Sequence, residues 1–464
     1  MKKALRISLV LVIALVMLAG CNTPSYAPDT STPAAPAGNS PAAPAGNSPS
    51  APAGNAPSGG NDPAAAPPDP VRIGVLLPLS GVTSYYGEIQ LQGIQHCVDY
   101  VNSIGGIQAL GGAPIELVVQ DSASDPETGV SAFELLIESG VTAVVGPYNS
   151  TVAAATAPLA IQYRVPYVIV NATSENYMSV ENKYVYRTNT GSTDGDGMWA
   201  LIIQYLNRIR PQDPTDIVAI VYDSGDWGTA AVGTWRSNAE AMGYTLAVDE
   251  AVSETSTDLS TLVNKIRRED VDLVIVAAFS SATNLLVRQM EEYEVKAKVA
   301  GLGGGIGDIE FINNCGSAAN GALYSAPWVP SHGGGKPEAV EWNQKYFDAY
   351  GVNMTMEPCW GWLGVGTLIN AIEIAGSADR EAVADALYNI KLDKDNFAMW
   401  FSGYDGVEFD TAGKRDDRFP GGIRYNNNKL LGETTGMVLT QVQNGQWVIV
   451  FPTSYNNGRD IIDY

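Results

Sequence analysis

Residues 71–107 read VRIGVLLPLSGVTSYYGEIQLQGIQHCVDYVNSIGGI. The first part is mostly apolar and is followed by Pro78 and Gly81, which is typical of a buried strand and a turn. In the second part apolar residues recur at spacings of three and four, and the repeat stops at Gly105-Gly106, which is typical of a helix and its C-terminus. The stretch predicts one strand–turn–helix unit.

The same unit repeats along the next hundred residues. Further strands are predicted at 114–122, 141–146 and 165–172, and helices at 127–140 and 150–164. Strands that alternate with helices form parallel sheets covered on both faces. This half of the chain therefore predicts a doubly wound parallel sheet.

The pattern restarts beyond residue 190. Helices are predicted at 196–209, 228–243 and 258–269, and strands at 216–223, 244–252 and 271–279. After residue 325 come a long apolar helix at 361–376 and two predicted β-hairpins, at 403–413 and at 436–452, the second with Asn444-Gly445 as its tight turn.

These patterns predict an α/β fold of two doubly wound parallel-sheet lobes. We assign residues 71–190 plus 326–433 to lobe 1 and residues 191–325 plus 434–464 to lobe 2. With these boundaries the chain passes between the lobes more than once.

The N-terminus predicts export and lipid attachment. Residues 1–20 have basic residues, then an apolar run, then small residues, which is the pattern of a signal peptide. Leu18-Ala19-Gly20-Cys21 resembles the lipobox of bacterial lipoproteins, in which the cysteine carries the lipid. The alternative is an ordinary signal peptide with a chance cysteine. We expect an extracytoplasmic protein that is anchored to a bacterial membrane through Cys21.

Residues 21–70 predict a tether. They are almost wholly Ala, Pro, Gly, Asn, Ser and Asp, and PAAPAGNS occurs at 33–40 and again at 41–48. Such a segment buries too little apolar surface to fold. Its prolines keep it extended, so it reaches more than about 100 Å from the anchor.

The net charge of the chain excludes polyanionic partners. Without the three basic residues of 1–20, the chain has 24 Lys and Arg against 50 Asp and Glu, a net charge of −26. Nucleic acid and anionic lipid surfaces would repel it, so we expect neither as a partner.

Histidine and cysteine are too few for an evident metal or catalytic site. His96 and His332 are the two histidines, and neither stands at metal-ligand spacing or in a Ser-His-Asp pattern. Cys97 is predicted to be a buried thiol. Cys315 and Cys359 are free to pair or to stay reduced, and the sequence leaves this open.

Ligands of open parallel sheets bind beyond the carboxyl ends of the strands. Ser150 lies where such a strand gives way to a helix, so its hydroxyl can cap free amides, and the helix end can hold a small anion. The alternative is that Ser150 only caps the helix.

At this point the chain from Val71 to Pro452 resembles the leucine/isoleucine/valine-binding protein family of type I periplasmic binding proteins, which feed ABC importers. The matching motifs occur in order: IGVLLPLSG, YYGEIQLQGIQHCVDYVNSIGGI, QDSASDPETG, AVVGPYNSTVAAATAPLA, VPYVIVNATSE, YVYRT and GYDGVEFDTAG. The resemblance implies two lobes joined by three crossovers, a ligand in the cleft between them, and no catalysis.

The resemblance also implies roles for individual residues. Ser150 and Thr173 are expected to hold a ligand carboxylate, with a backbone contribution from Asn171. Cleft aromatic residues are expected at Tyr86 and Tyr148 and, where the family has tyrosines, at Trp227 and Phe279.

The acidic residue that pairs with a ligand ammonium in the family falls near Gly303, within AGLGGGIGD at 300–308. Either Asp308 or Asp226 supplies the carboxylate from a shifted position, or the ligand has no ammonium. The glycine run itself has neither a P-loop lysine nor a complete G-x-G-x-x-G, and no clear helix is predicted immediately after it.

The expected function is that of a substrate-binding lipoprotein of an ABC importer, with an amino acid, amide or aromatic carboxylate as the solute. The alternative is a sensory receptor that presents its ligand to a membrane signalling partner. We expect a monomer that is not an enzyme, that docks on an ABC permease, and that needs no cofactor or metal.

Overall fold

The computed structural model describes residues 68–174, 177–178, 182–189, 202, 217–241, 243–301, 303–307, 309–326, 328–329, 336–403, 406–409 and 438–451. Several predicted features lie outside these residues: Cys21, nearly all of the tether, Asp308, His332, Pro452 and nearly all of the helix predicted at 196–209. Among the described residues, no helix is long and apolar enough to cross a membrane.

The first lobe is built on a five-stranded parallel sheet in the order β2-β1-β3-β4-β5. Its strands are β1 (Val71–Leu77), β2 (Ile115–Asp121), β3 (Ala143–Val145), β4 (Tyr167–Ile169) and β5 (Val185–Arg187). The order turns back at β1, so β1 and β3 lie side by side at the switch point, where ligands of doubly wound sheets bind.

Three helices follow the strands of this sheet: α1 (Ser84–Ser103), α2 (Pro126–Glu138) and α3 (Ser150–Tyr163). The side chain of Asp125 caps α2 by accepting from the Thr128 N–H at 2.8 Å, and Pro126 occupies the first turn. Pro158 lies inside α3.

The second lobe repeats the same strand order. Its parallel strands are β6 (Ile217–Asp223), β7 (Thr245–Val252), β8 (Leu273–Ala277), β9 (Lys298–Gly301) and β10 (Leu323–Ala326), arranged β7-β6-β8-β9-β10. The helices are α4 (Asp226–Ala241), α5 (Ser260–Arg268), α6 (Ser280–Glu292) and α7 (Ile309–Cys315).

The chain then returns to the first lobe as α8 (Pro337–Tyr350), α9 (Met356–Ala375), α10 (Arg380–Tyr388) and the short antiparallel pair β11 (Leu392–Asp393) and β12 (Gly406–Val407). Helix α9 is buried along most of its length and packs on α1. A Cβ at Gly93 would lie 2.1 Å from the Pro358 carbonyl oxygen, so the two helices approach closely enough to require glycine there.

A final crossover brings the chain back to the second sheet as a hairpin of β13 (Val438–Gln443) and β14 (Gln446–Phe451). Strand β13 pairs antiparallel with β10, and Asn444-Gly445 forms the turn. The prediction of two doubly wound parallel-sheet lobes joined by three crossovers is confirmed, with this antiparallel pair at one edge.

The structure leaves one sequence prediction untested and resolves one point that the sequence left open. The hairpin predicted at 403–413 lies largely outside the described residues, and the part that is described, β12, pairs with β11. Cys97, Cys315 and Cys359 are all free and buried, so Cys315 and Cys359 are not bridged. Burial raises the pKa of Cys315 to about 12, which keeps the thiol protonated at neutral pH.

Candidate functional site

The loops after β3 and β4 bring Ser150 and Thr173 together at the carboxyl edge of the first sheet. Both are buried, at 4% and 2% exposure, and the Ser174 N–H donates to Ser150 Oγ at 3.3 Å. Asn149 has the extended backbone of an N-cap residue, and Ser150 is the first residue of α3. The prediction that Ser150 caps the helix is therefore wrong by one position.

The side chain of Asn149 does not cap α3, because it bonds elsewhere. Its amide nitrogen donates to Thr83 Oγ1 at 3.1 Å, and the Thr83 N–H donates to Ser124 Oγ at 3.1 Å. The first helical bond runs from the Ala153 N–H to the Asn149 carbonyl at 3.0 Å. The N–H groups before Ala153 have no partner within the helix, so this end of α3 is suited to an anion.

Arg187 is a charged residue that sequence reasoning missed. It is 1% exposed at the end of β5, and its Nη1 donates to the backbone oxygens of Thr173 (3.1 Å) and Ser174 (3.2 Å). The guanidinium fixes the loop that carries Thr173 and places positive charge behind it. The available signal was an arginine inside the apolar run YVYRT.

The backbone of Asn171 is also held by a hydrogen bond from a side chain close to the end of β5. The side-chain amide of Asn189 donates to the Asn171 backbone oxygen at 3.0 Å. Sequence reasoning gave Asn189 no role, although it follows β5 by only two residues. The loop after β4 is thus fixed from β5 at both Asn171 and Thr173, which holds it in place for a ligand.

Aromatic rings from both lobes face one another across the cleft. Tyr148 of the first lobe lies 6.1 Å from Phe279 of the second, and Phe279 lies 4.9 Å from Trp227, measured between ring centroids. The cavity they enclose is lined by Tyr148, Asn149, Ser150, Asn171, Thr173, Trp227, Phe279 and Gly303. The sequence predicted six of these as ligand-binding residues and Gly303 as the position facing a ligand ammonium, and Asn149 is an addition.

Tyr86 takes a different position from the one expected, since it does not line this cavity. It stacks on Tyr148, with centroids 5.0 Å apart and an interplanar angle of 1°, and its hydroxyl is hydrogen-bonded to Ser280 Oγ in the second lobe. Tyr86 therefore supports the aromatic wall and links the two lobes directly.

Gly303 has no room for a side chain. Its φ is +64°, and a Cβ would lie 2.7 Å from Cζ2 of Trp227. Gly305 is also closely packed, because a Cβ there would meet the Ala278 oxygen at 2.4 Å. Helix α7 starts at Ile309, directly after the run, which the sequence had not predicted.

No carboxylate lines the cavity among the described residues. Asp226, the first residue of α4, is not part of the lining, and Asp308 lies outside the described part of the chain. The described residues also hold no group of three or more His, Cys, Asp or Glu arranged for a metal ion.

A partly buried carboxylate, Glu254, supports the second-lobe wall from behind. Glu254 accepts from the N–H groups of Ser281 (2.7 Å) and Ala282 (3.2 Å), at the start of the helix that follows Phe279. Burial raises the pKa of Glu254, and the nearby Asp223 raises it further. The interaction anchors α6 and does not reach the cavity.

The cavity is narrow in this arrangement of the lobes. The centre of a water molecule can occupy only about 20 Å³ of it, room for one or two waters. A larger solute needs more room between the first-lobe residues and Trp227 and Phe279 of the second lobe, and relative movement of the two lobes would provide it.

Comparisons with known proteins agree with this architecture. Residues 70–412 match the family described as "Periplasmic binding protein". The Leu/Ile/Val-binding protein BraC3 of Rhizobium johnstonii is 30% identical over 319 residues, covering 68% of this chain and 83% of that protein.

Two solved structures share the fold. The branched-chain amino acid transporter substrate-binding protein LivJ of Streptococcus pneumoniae, in complex with isoleucine, has a TM-score of 0.68 at 19% identity and covers 82% of this chain and 98% of its own. An ABC transporter solute-binding protein of Rhodopseudomonas palustris BisB5, in complex with 3,4-dihydroxybenzoic acid, has a TM-score of 0.66 at 18% identity, covering 82% and 95%.

Two lobes that meet over a polar and aromatic cleft define a solute-binding protein, a class that binds its ligand without transforming it. The chain belongs to the leucine/isoleucine/valine-binding family of type I periplasmic binding proteins. It is accordingly an extracytoplasmic substrate-binding transport protein and not an enzyme.

Proposed function

We propose that this protein delivers a small carboxylate with an apolar or aromatic body, and without an ammonium group, to an ABC importer. The observation that carries this proposal is the close approach of Trp227 to Gly303. A Cβ placed on Gly303 would lie only 2.7 Å from Cζ2 of the indole. The indole fills the place where the resemblance expects an acidic side chain.

The carboxylate end of the ligand has a site with the required chemistry. Ser150 and Thr173 offer hydroxyls, the start of α3 offers backbone N–H groups, and Arg187 lies behind the loop. Each favours an anion, and hydrogen bonds to a charged group contribute about 1.5–3 kcal/mol.

The rest of the ligand meets aromatic rings. Tyr148 of the first lobe and Phe279 and Trp227 of the second provide apolar faces, which suit an aliphatic or aromatic body. An ammonium buried here without a carboxylate partner would cost several kcal/mol. A neutral amide in place of the carboxylate is also compatible with the hydroxyl and N–H groups.

A matched pair of ligands tests this proposal. Leucine and 4-methylpentanoate have the same carboxylate and aliphatic body, and only leucine has the ammonium. We expect calorimetry on the purified protein to give the deaminated acid at least about tenfold tighter binding. Tighter binding of leucine would mean that a carboxylate, such as that of Asp308, serves the ammonium from a shifted position.

The hydroxyls are tested by Ser150→Ala and Thr173→Ala. Each should weaken binding of the carboxylate ligand by about 10- to 100-fold, because each removes a hydrogen bond to a charged group. Ser131→Ala, an exposed serine on α2, is the matched control and should bind normally. Unchanged affinity in both cleft variants would refute the carboxylate site.

The remaining parts of the proposal concern the membrane. We propose that Cys21 carries a lipid, that residues 22–70 tether the lobes to it, and that a monomer with closed lobes docks on the permease. Cys21→Ser should release the protein from the membrane fraction, and ligand should raise ATP hydrolysis by the reconstituted permease only when the binding protein is present. An undisturbed membrane fraction or an unresponsive permease would contradict these points.

A further inference from the structure

An asparagine at the start of α3 leaves its helix uncapped. Asn149 is the N-cap residue and has the extended backbone of such a residue, with φ −80° and ψ 133°. Asparagine is among the side chains that cap helices best. The structure describes all of α3, and none of its N–H groups donates to the Asn149 side chain. The first N–H groups of the helix therefore stay open where Asn149 and Ser150 line the solute cavity.

Two other N-cap residues of this chain have nearly the same backbone and do cap. Asp379, with φ −69° and ψ 133°, accepts from two N–H groups of α10 at 3.0 and 3.1 Å. Asn396, with φ −65° and ψ 144°, accepts from the Ala398 N–H at 2.9 Å at the start of a short 3₁₀ helix. The backbone of Asn149 is thus compatible with a cap, so its side chain must be held elsewhere.

Thr83 holds that side chain. Both amide atoms of Asn149 lie within 3.2 Å of Thr83 Oγ1, with Nδ2 at 3.1 Å. Thr83 Oγ1 lies 2.8 Å from Ser124 Oγ, and Ser124 Oγ donates to the Ser80 carbonyl oxygen at 3.0 Å. Because the Ser124 proton goes to that carbonyl, the Thr83 proton goes to Ser124. Thr83 Oγ1 is then the acceptor for the Asn149 amide.

Burial strengthens this arrangement. Thr83 is fully buried and Asn149 is only 8% exposed, so water competes little for their hydrogen bond. The Thr83 N–H also donates to Ser124 Oγ at 3.1 Å, which fixes the position of the threonine. The Asn149 side chain is therefore held on the side of Thr83 and away from the N–H groups of α3.

We propose that Thr83 is a positioning residue for solute binding. By holding the Asn149 side chain, it keeps the N–H groups at the start of α3 open to the carboxylate of the solute. Without the threonine hydroxyl, the Asn149 amide oxygen turns to those N–H groups and competes with the carboxylate for them. The inference rests on the proposed function, because it needs a solute whose anionic end lies at α3.

Thr83→Val removes the hydroxyl and keeps the shape of the side chain. We expect calorimetry on the purified protein to show 4-methylpentanoate binding weakened by about 2- to 30-fold, which is the effect of one N-cap side chain expressed as affinity. Thr83→Ser keeps the hydroxyl and should recover most of this loss. Thr367→Val removes an equally buried hydroxyl from α9 and is the matched control, which should bind normally.

The same substitution in an Asn149→Ala background separates competition from a loss of loop structure. Alanine at position 149 cannot cap α3, so adding Thr83→Val should change the affinity of Asn149→Ala by less than about twofold. An equal loss in the two backgrounds would mean that Thr83 only supports its own loop, and the proposal would be overturned.

Asn149→Ser tests the competition without altering Thr83. Serine caps helices about as well as asparagine but has a shorter side chain, so it should bond the α3 N–H groups and not Thr83. We expect it to bind 4-methylpentanoate at least about threefold more weakly than Asn149→Ala. Binding of equal strength by these two variants would contradict the proposal.

A crystal structure of ligand-free Thr83→Val shows the competing side chain directly. We expect Oδ1 of Asn149 to accept from the N–H of Thr151 or Val152, and an Asn149 side chain that stays where it is would overturn the proposal. Failure of the unaltered protein to bind 4-methylpentanoate would refute the proposed function and the role of Thr83 with it. Normal binding by both the unaltered protein and Thr83→Val would refute the role of Thr83 alone.

Discussion

Gly303 and Trp227 form a complementary pair. The indole ring of Trp227 occupies the space that a side chain at position 303 would need. The sequence identified Gly303 as unusual only by comparison with a family. The contact with Trp227 gives the physical reason, since the two residues are far apart in the chain and meet only because β6 and β9 end at the same edge of the second sheet.

Gly303→Ala should disturb this pair. The new Cβ would lie 2.7 Å from the indole at a φ of +64°, so we expect a loss of about 1–3 kcal/mol in the free energy of unfolding and weaker solute binding. Denaturant unfolding and calorimetry measure the two effects. The loss should shrink when Trp227→Leu is already present.

Gly233→Ala is the control for that substitution. Gly233 lies in α4 with no atom within 4 Å of a Cβ, so alanine there should leave solute binding unchanged and stabilise the helix slightly. If Gly303→Ala behaves like Gly233→Ala, the indole does not occupy the place of a side chain.

At the scale of the elements, the loop between β1 and α1 is fixed by one carboxylate from the end of β2. Asp121 accepts from the N–H groups of Leu79 (2.8 Å), Ser80 (3.2 Å) and Ala123 (2.7 Å), and from the Ser80 hydroxyl at 2.6 Å. This loop leads to Thr83, which holds Asn149 beside the anion end of α3.

Asp121→Asn should therefore lower stability in a way that depends on pH. Partial burial by itself raises the pKa of Asp121, but the hydrogen bonds outweigh it and the pKa is lowered. A lowered pKa in the folded state stabilises the protein above the unfolded pKa, near 4, and this contribution is lost as the pH falls through the folded value.

We expect the midpoint of thermal unfolding of Asp121→Asn to fall by about 2–6 °C at pH 7. The difference from the unaltered protein should shrink below about pH 4. Asp348→Asn, an exposed carboxylate on α8, should show no such difference. A gap between Asp121→Asn and the unaltered protein that stays constant down to pH 2 would mean that the charge of Asp121 is not what holds the loop.

The apolar repeat in the sequence predicted some helices and strands better than others. Segments with a strong repeat, such as α1 and the run from β6 to β8, were predicted close to their observed positions because their apolar faces are long. The short apolar run within 403–413 did not reveal that part of it, β12, pairs with β11.

At the scale of the whole molecule, Tyr86 connects the lobes. Its hydroxyl bonds Ser280 Oγ, and its ring lies 6.3 Å from Phe279, measured between centroids. These contacts exist only when the lobes are close together, so they favour the closed arrangement over an open one.

Tyr86→Phe should weaken solute binding by about two- to tenfold, because it removes one inter-lobe hydrogen bond and retains the ring. We also expect small-angle X-ray scattering to give a larger mean radius of gyration at subsaturating ligand. Tyr163→Phe, an exposed tyrosine on α3, is the control. Equal affinity and equal radius in Tyr86→Phe and the control would show that Tyr86 does not contribute to closure.

The order of strands and helices, and therefore the two-lobed fold, is determined by local patterns that a single sequence contains. Apolar periodicity and turn residues act over short distances, so they can be recognised without knowing what they pack against. The same holds for Ser150 and Thr173, which follow strands whose carboxyl ends had to meet at one edge.

Contacts between residues that are distant in the chain were decided only by the tertiary structure, because a local sequence pattern does not specify them. The fit of Trp227 over Gly303, the buried Arg187 behind Thr173, the free thiols of Cys315 and Cys359 and the bond from Tyr86 to Ser280 all join residues distant in the chain. Such contacts depend on the relative position of whole elements to within a fraction of an ångström. Close packing sets that position, and the periodicity of a sequence does not specify it.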